Sequence, residues 1–340
     1  MTKSTYPDYL DPKTTTAVNG IFIFIVFFSH IQGYREMPAW IHAITSAFGQ
    51  LMVAMFLFYS GYGVGSSIQK KGTRYIEQMP KRRVLKVLSR FIPAVLFFAI
   101  VDWLCGISFS FGRFCLSLIA WDNIGNSNWY VFVILCLYGI TYVSYRLFGM
   151  GEEKDFKTKS VIAVAFGGLI LALILFLSFF KDPYWYNTIP AYPMGMWLSY
   201  HKKFCDRVRS IPVTVSIAIL SLAIVYALYS PGRLHISVYY VRVLFFCVLI
   251  VSLTKLIPVA ELPVVGRGFH WLGEHLFEIY ILMRIPMIVC QTLIQTKKLP
   301  ILQNRAVFTG ICLIVTLALA ILFTGTQTVL SAGKSSQAQS

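Results

Sequence analysis

Five ionisable side chains stand inside or at the ends of long apolar stretches of this 340-residue chain: His30, Asp102, Arg242, Glu278 and Arg284. At bilayer depth such groups are costly unless paired, hydrated or turned into a polar cavity, so each is a candidate for chemistry. His30 has the most useful side chain. An imidazole titrates at about 6.5 when unperturbed, so it can take a proton from a hydroxyl at neutral pH; a hydrogen-bonded histidine at a helix end is the plain alternative. Asn19 stands eleven residues earlier, and eleven helical steps return to within about 20° of the same face. The two would line one stripe along which a long substrate could lie. Arg284 offers a planar fork for a carbonyl or anionic oxygen, or else neutralises Asp102 or Glu278. Asp102 could orient His30, as carboxylates do for imidazoles. Glu274 and Glu278 are four apart with His275 between them, and at a helix end they read as a solvated cluster rather than a catalytic dyad.

A second set is cationic. Lys81, Arg82, Arg83, Lys86 and Arg90 are spaced so as to present charge on successive turns of a helix entrance. Such a run marks membrane topology and contacts anionic lipid, and it can also clamp the phosphates of a donor. The remaining histidines, 42, 201, 235, 270 and 275, have no ligand spacing, so a metal site is not expected. There is no glycine-rich phosphate loop and no nucleophile elbow.

The elements that must hold these groups are membrane helices. The chain is 57% hydrophobic and only 13% charged, where a soluble domain carries about a quarter charged residues. Apolar runs of bilayer length predict ten spans at roughly 18–35, 41–67, 91–110, 129–149, 160–180, 184–200, 211–230, 236–256, 269–295 and 305–331. The fold class is therefore all-α and polytopic. Residues 1–16 are polar and lack a basic, cleavable leader pattern, so the first run is expected to be retained. The net charge of +16 gathers in short loops, which argues for topology rather than nucleic acid. Loops 68–90, 150–159 (Lys154, Lys157, Lys159) and 201–210 (Lys202, Lys203, Arg207, Arg209) share one face. The opposite loops hold Arg35, Arg113, Lys181 and Arg233, with Lys297, Lys298 and Arg305 reducing the contrast. The positive-inside rule then puts both termini in the cytoplasm. His30, Asp102, Arg242 and Arg284 fall in one depth band of the outer half, as one shared polar cavity would require. The seven cysteines lie mostly in apolar runs without paired spacing and read as small packing residues. The domain plan is a cytoplasmic segment over 1–17, a single membrane domain over 18–331, and a tail over 332–340 expected to be disordered. Segment 111–128 either lies in the interface or re-enters.

Several segments, in order, resemble the acyltransferase 3 family of membrane-bound O-acyltransferases: Asn19 and Gly20 leading to Ser29 and His30; Phe56 to Tyr59, Ser60, Gly61 and Tyr62; the basic run ending in Pro93; Trp129 and Tyr130; Pro193, Gly195 and Trp197; Trp271 and Gly273 leading to Ile279 and Tyr280. The resemblance implies a ten-helix core in a bacterial inner membrane, acetyl-CoA or another acyl-CoA as co-substrate, and transfer of an acyl group to a hydroxyl of a cell-envelope glycan. It implies a catalytic role for His30, with the basic run and Arg284 in the ninth span as supports; Asp102 joins them as the expected orienting carboxylate read from the residues themselves. Donor binding would fall to Asn19, Lys81, Arg82, Arg83, Lys86 and Arg90, and acceptor contacts to Trp129, Tyr130, Arg242 and Tyr280. No resident cofactor or metal is implied. Two positions depart from the family pattern: Asn19 replaces a basic residue, and Met283 with Arg284 stands where many members have a histidine. A transporter or flippase of a polar or glycolipid substrate, or a lapsed acyltransferase, remain alternatives.

Overall fold

The computed structural model describes residues 8–148, 156–208, 210–229 and 235–337, with the side chains of 148, 156–159 and 328–337 excepted. Lys154, Arg209 and Arg233, and the side chains of Lys157 and Lys159, lie outside the described residues. Among those described there are helices and no strands. Eight helices are long and apolar enough to cross a bilayer: Pro12–Ile31 (α1), Ala39–Lys71 (α2), Thr73–Leu104, Trp129–Leu147, Ser160–Phe180, Ile236–Leu256 (α10), Leu276–Gln295 and Arg305–Gln327. Large apolar side chains face outward as freely as inward, Phe179 being 81% exposed, which is how a lipid-facing surface must look.

Two of the ten expected spans are shorter. The sixth begins late, as Ala191–Cys205 (α8), because Pro183, Pro190 and Asn187 hold 183–190 in turns. The seventh is the 17-residue Ile211–Ala227 (α9). The expected span 269–295 is not one helix. Val265–Glu274 (α11) stops at His275, and only Leu276–Leu282 (α12) and Arg284–Gln295 (α13) run on through the bundle. Pro286 explains the break at Met283: it has no N–H for the carbonyl one turn back, and its ring crowds that carbonyl. Arg284 sits at this irregularity.

Local signals set the other ends. Asp11 caps α1 through its side chain, accepting from the Thr14 N–H at 2.7 Å, and Pro12 follows at the first helical position. Gly72, at a φ of +56°, turns the chain out of α2. The stretch Thr73–Leu104 is built from Thr73–Met79 (α3), a wide π-helical turn over Pro80–Leu85, and Lys86–Leu104 (α4). Pro80 removes one ladder donor, and the widened turn carries Lys81, Arg82 and Arg83.

Helix crossings are made by glycine. On α1, a Cβ at Gly20 would run into the Phe269 carbonyl of α11, and one at Gly273 into the Thr16 carbonyl of α1. The same reciprocal contact joins α2 to α8, through Gly61 against Tyr192 and Gly195 against Phe58. Backbones approach this closely only where side chains are absent. The two ends of the bundle are also defined by contacts. Gln69 donates to Ser199 Oγ at 3.0 Å and Tyr9 to Asp206 Oδ1 at 2.8 Å, so the N-terminus and loops 68–90 and 201–210 share one end, hereafter the basic end. Segment 111–128 divides in two: Phe111–Leu118 (α5) is largely exposed, while Ala120, Ile124, Asn126, Ser127 and Asn128 are buried within the protein. Asn128 Nδ2 closes this loop by donating to the carbonyls of Ala120 and Asp122 at 3.1 and 2.9 Å.

Candidate functional site

The basic run opens a cavity of about 1290 Å³ between α2, α3, α4 and the helix Trp129–Phe148 (α6). Lys71, Lys81, Arg82, Arg83, Lys86 and Arg90 line it, against one carboxylate, Glu77, which faces Arg146 at 3.9 Å. Lys81, Arg82 and Lys86 are exposed at its rim with no carboxylate within 4 Å among the described residues. Arg83 is differently placed: its Nε donates to Tyr75 Oη at 3.0 Å and its guanidinium lies 5.7 Å from the Tyr138 ring centre. Arg90 is occupied by an ion pair of 2.7 Å with Glu278. The expectation that Glu278 belongs to a solvated cluster with Glu274 is therefore corrected. The helix breaks between them at His275; Glu278 turns inward and is 2% exposed, while Glu274 stays outside, 3.7 Å from His270.

The cavity reaches far into the bundle, because Tyr138, Ile134 and Tyr130 all line it along α6. Eight residues of helix separate Tyr138 from Tyr130, about 12 Å of rise. Tyr130 then packs edge-on against Tyr280 at 5.5 Å, and Tyr280 against His30 at 6.4 Å. Two rings thus lie between the inner end of a cationic cavity and the imidazole. The His30 side chain has no hydrogen-bond partner among the described residues, so its ring nitrogens are not committed to the fold.

Around His30 the structure brings together Arg284, Tyr34, Tyr280 and, less directly, Asp102. Arg284 is the charge acting on His30, and with Arg113 it also acts on Asp102. Its Nε donates to Tyr34 Oη at 3.4 Å. Asp102 is 2% exposed and lies near the loop at Gly125, together with Phe98 and Ile288. No hydrogen bond joins Asp102 to His30 among the described residues, so the expected orienting bond is not made. Sequence reasoning missed Tyr34, which lies in the turn just past the end of α1; its nearness to His30 in sequence was the available signal.

Arg242 does not belong to this group. Its Nε donates to the Val225 carbonyl of α9 at 3.0 Å and its Nη2 to the Ala47 carbonyl of α2 at 2.7 Å, with Tyr229 and Tyr239 over the guanidinium. It ties three helices together. The shared band of four ionisable groups reduces to three, because similar depth does not imply the same side of the bundle. Asn19 does not line the cationic cavity, and its Oδ1 is buried without a partner. Trp129 packs on Tyr130 at 6.4 Å and on Tyr184 at 6.2 Å, which anchors the outer end of α6 to the 183–190 turns.

No curated protein and no solved structure is significantly similar to this chain. The acyltransferase 3 family, described as an acyltransferase domain, matches residues 16–325, from the start of α1 almost to the end of the last spanning helix. With that match across nearly its whole length, and with the helices of a multi-pass membrane protein, the chain belongs to the acyltransferase 3 family of membrane acyltransferases.

Proposed function

We propose that this protein transfers an acyl group, acetyl in the first instance, from an acyl-CoA entering at the basic end to a hydroxyl of a cell-envelope glycan arriving from the opposite end. The observation that carries this reading is the cationic cavity ending at Tyr130, two aromatic rings from an uncommitted His30. Lys81, Arg82 and Lys86 suit the phosphates of the donor by charge and reach, and the depth of the cavity suits a long pantetheine arm. The positive-inside rule supports a cytoplasmic basic end, in keeping with a bacterial inner-membrane enzyme.

The acceptor oxygen attacks the thioester carbonyl carbon while His30 takes the hydroxyl proton. Arg284 stabilises the negative charge that forms on the carbonyl oxygen. The carbon–sulfur bond then breaks, the acyl group stays on the acceptor oxygen, and the departing thiolate takes the proton from His30. Tyr34 steadies Arg284, and Asp102 balances its charge without competing for the imidazole.

The test uses the full chain in lipid nanodiscs with radiolabelled acetyl-CoA and a cell-envelope glycan extract. Wild type should label the glycan and release free CoA, and His30→Ala should lower the rate by about 10²–10⁴-fold, the usual worth of a general base. Labelling untouched by His30→Ala would remove this assignment. Movement of glycolipid across a vesicle membrane without CoA release would instead favour a transporter.

A further inference from the structure

Beyond His30, at the end of the bundle opposite the basic loops, polar atoms are buried without partners. Two nitrogens of Arg35, Nε and Nη2, have no acceptor, nor has Gln32 Nε2; Gln291 Oε1 and Thr309 Oγ1 are also unpaired. The elements that carry them meet at this end. Arg35 lies over the Phe308 ring at 5.2 Å, beside Thr309 on the helix Arg305–Gln337 (α14). Gln291 is two turns beyond Arg284 on α13, which packs along α14, and Arg284 reaches Tyr34, the residue before Arg35. Neither guanidinium has a carboxylate within 4 Å among the described residues. Arg35 is half-buried, and two of its nitrogens are shut away from water without an acceptor, an unfavourable arrangement that calls for an anion arriving from outside.

A second observation points the same way. The loop at this end carries Lys297, Lys298 and Arg305, all exposed, against the charge bias expected of an outer face. Arg305 donates to the Glu36 carbonyl at 3.5 Å, so this basic fringe borders Arg35 directly.

We infer that Arg35, with Gln32, Gln291 and Thr309, forms a binding site for an oxyanion on the acceptor, so that the acceptor is an acidic glycan or a phosphate-linked one. This rests on the acyltransferase reading and names its acceptor class. His30 lies in the last turn of α1 and Arg35 in the turn just past its end, where its N–H bonds the Ile31 carbonyl at 2.9 Å, so the two are close along the chain. The hydroxyl presented to His30 therefore belongs to the residue that bears the anion or to its neighbour. A carboxylate and a phosphate both suit the planar fork of an arginine.

The experiment reads binding without transfer. The full chain in nanodiscs of neutral lipid is melted with glucuronate or glucose, and with farnesyl pyrophosphate or farnesol. One anionic probe should raise the wild-type Tm at concentrations where its neutral counterpart does nothing. In Arg35→Gln the half-saturating concentration should rise at least tenfold, yet without probe this variant should melt no lower than wild type, since it discards an unpaired charge. Gln291→Leu and Thr309→Val should weaken the response severalfold, and they decide the matter if Arg35→Gln fails to fold. A response to glucuronate alone assigns an acidic sugar, and one to farnesyl pyrophosphate alone assigns a lipid carrier's phosphate. Silence from both probes, or a response that the variants leave unchanged, overturns the site. Anion binding without any transfer keeps the site and removes the catalytic reading, whereas transfer to neutral glycans without anion binding does the reverse.

Discussion

Arg90 and Glu278, 188 residues apart in sequence, meet in a 2.7 Å ion pair that locks α4 to α12 beside the mouth of the cationic cavity. The pair is lopsided, with Arg90 30% exposed and Glu278 only 2%. Removing the arginine strands a buried carboxylate, whereas removing the carboxylate leaves a guanidinium that water can reach. Arg90→Ala should therefore cost roughly 3 kcal/mol, toward the low end for a broken buried pair, and Glu278→Gln about 1 kcal/mol. Thermal unfolding of both variants and of the double variant checks this order; equal losses would contradict it.

The three rim cations predict a separation of donor and acceptor effects. Neutralising Lys81, Arg82 and Lys86 one at a time to Gln should raise the KM for acyl-CoA severalfold each, and by about 100-fold together if each contact is worth about 1 kcal/mol. The KM for the glycan should not move. Added salt should weaken donor binding in the wild type and have little further effect on the triple variant.

At the glycine crossings the consequence is steric. Gly61→Ala and Gly20→Ala each push a methyl into a facing carbonyl, and should cost about 1–3 kcal/mol through backbone displacement. Gly139→Ala on α6 meets nothing within 4 Å and should be neutral or slightly stabilising. Melting temperatures in one nanodisc preparation separate the two classes.

Arg242 is the control for chemistry. Arg242→Met should lower stability by about 2 kcal/mol, because the Val225 and Ala47 carbonyls lose charged donors in a buried place. Activity per folded molecule should remain near wild type. A selective loss of turnover with unchanged melting would return Arg242 to the acceptor site.

Much of this was legible in the sequence because the bilayer imposes it. The apolar runs, the basic loops and the order of short motifs sufficed for an all-α membrane fold and for the family. Other features depend on what meets what. Gly20 and Gly273, or Gly61 and Gly195, stand in separate motifs, and only the packed bundle makes them pairs. Glu278 misled because a helix drawn through His275 puts it beside Glu274, while the actual break turns it toward Arg90. Arg242 misled because depth along a helix says nothing about direction around the bundle. The late start of α8 was available in Pro183 and Pro190, whose weight against an apolar run of bilayer length was underrated.

The ring of Tyr130 has a meaning apart from the reaction. A cavity rising from one end to Tyr130 leaves little protein before the other end, and Tyr280, 1% exposed, is the next layer. These two rings are a bulkhead. If the proposed donor enters so deeply, water and ions must still be withheld from the opposite side, and the aromatic contact that stands between it and the imidazole would also keep the membrane electrically tight.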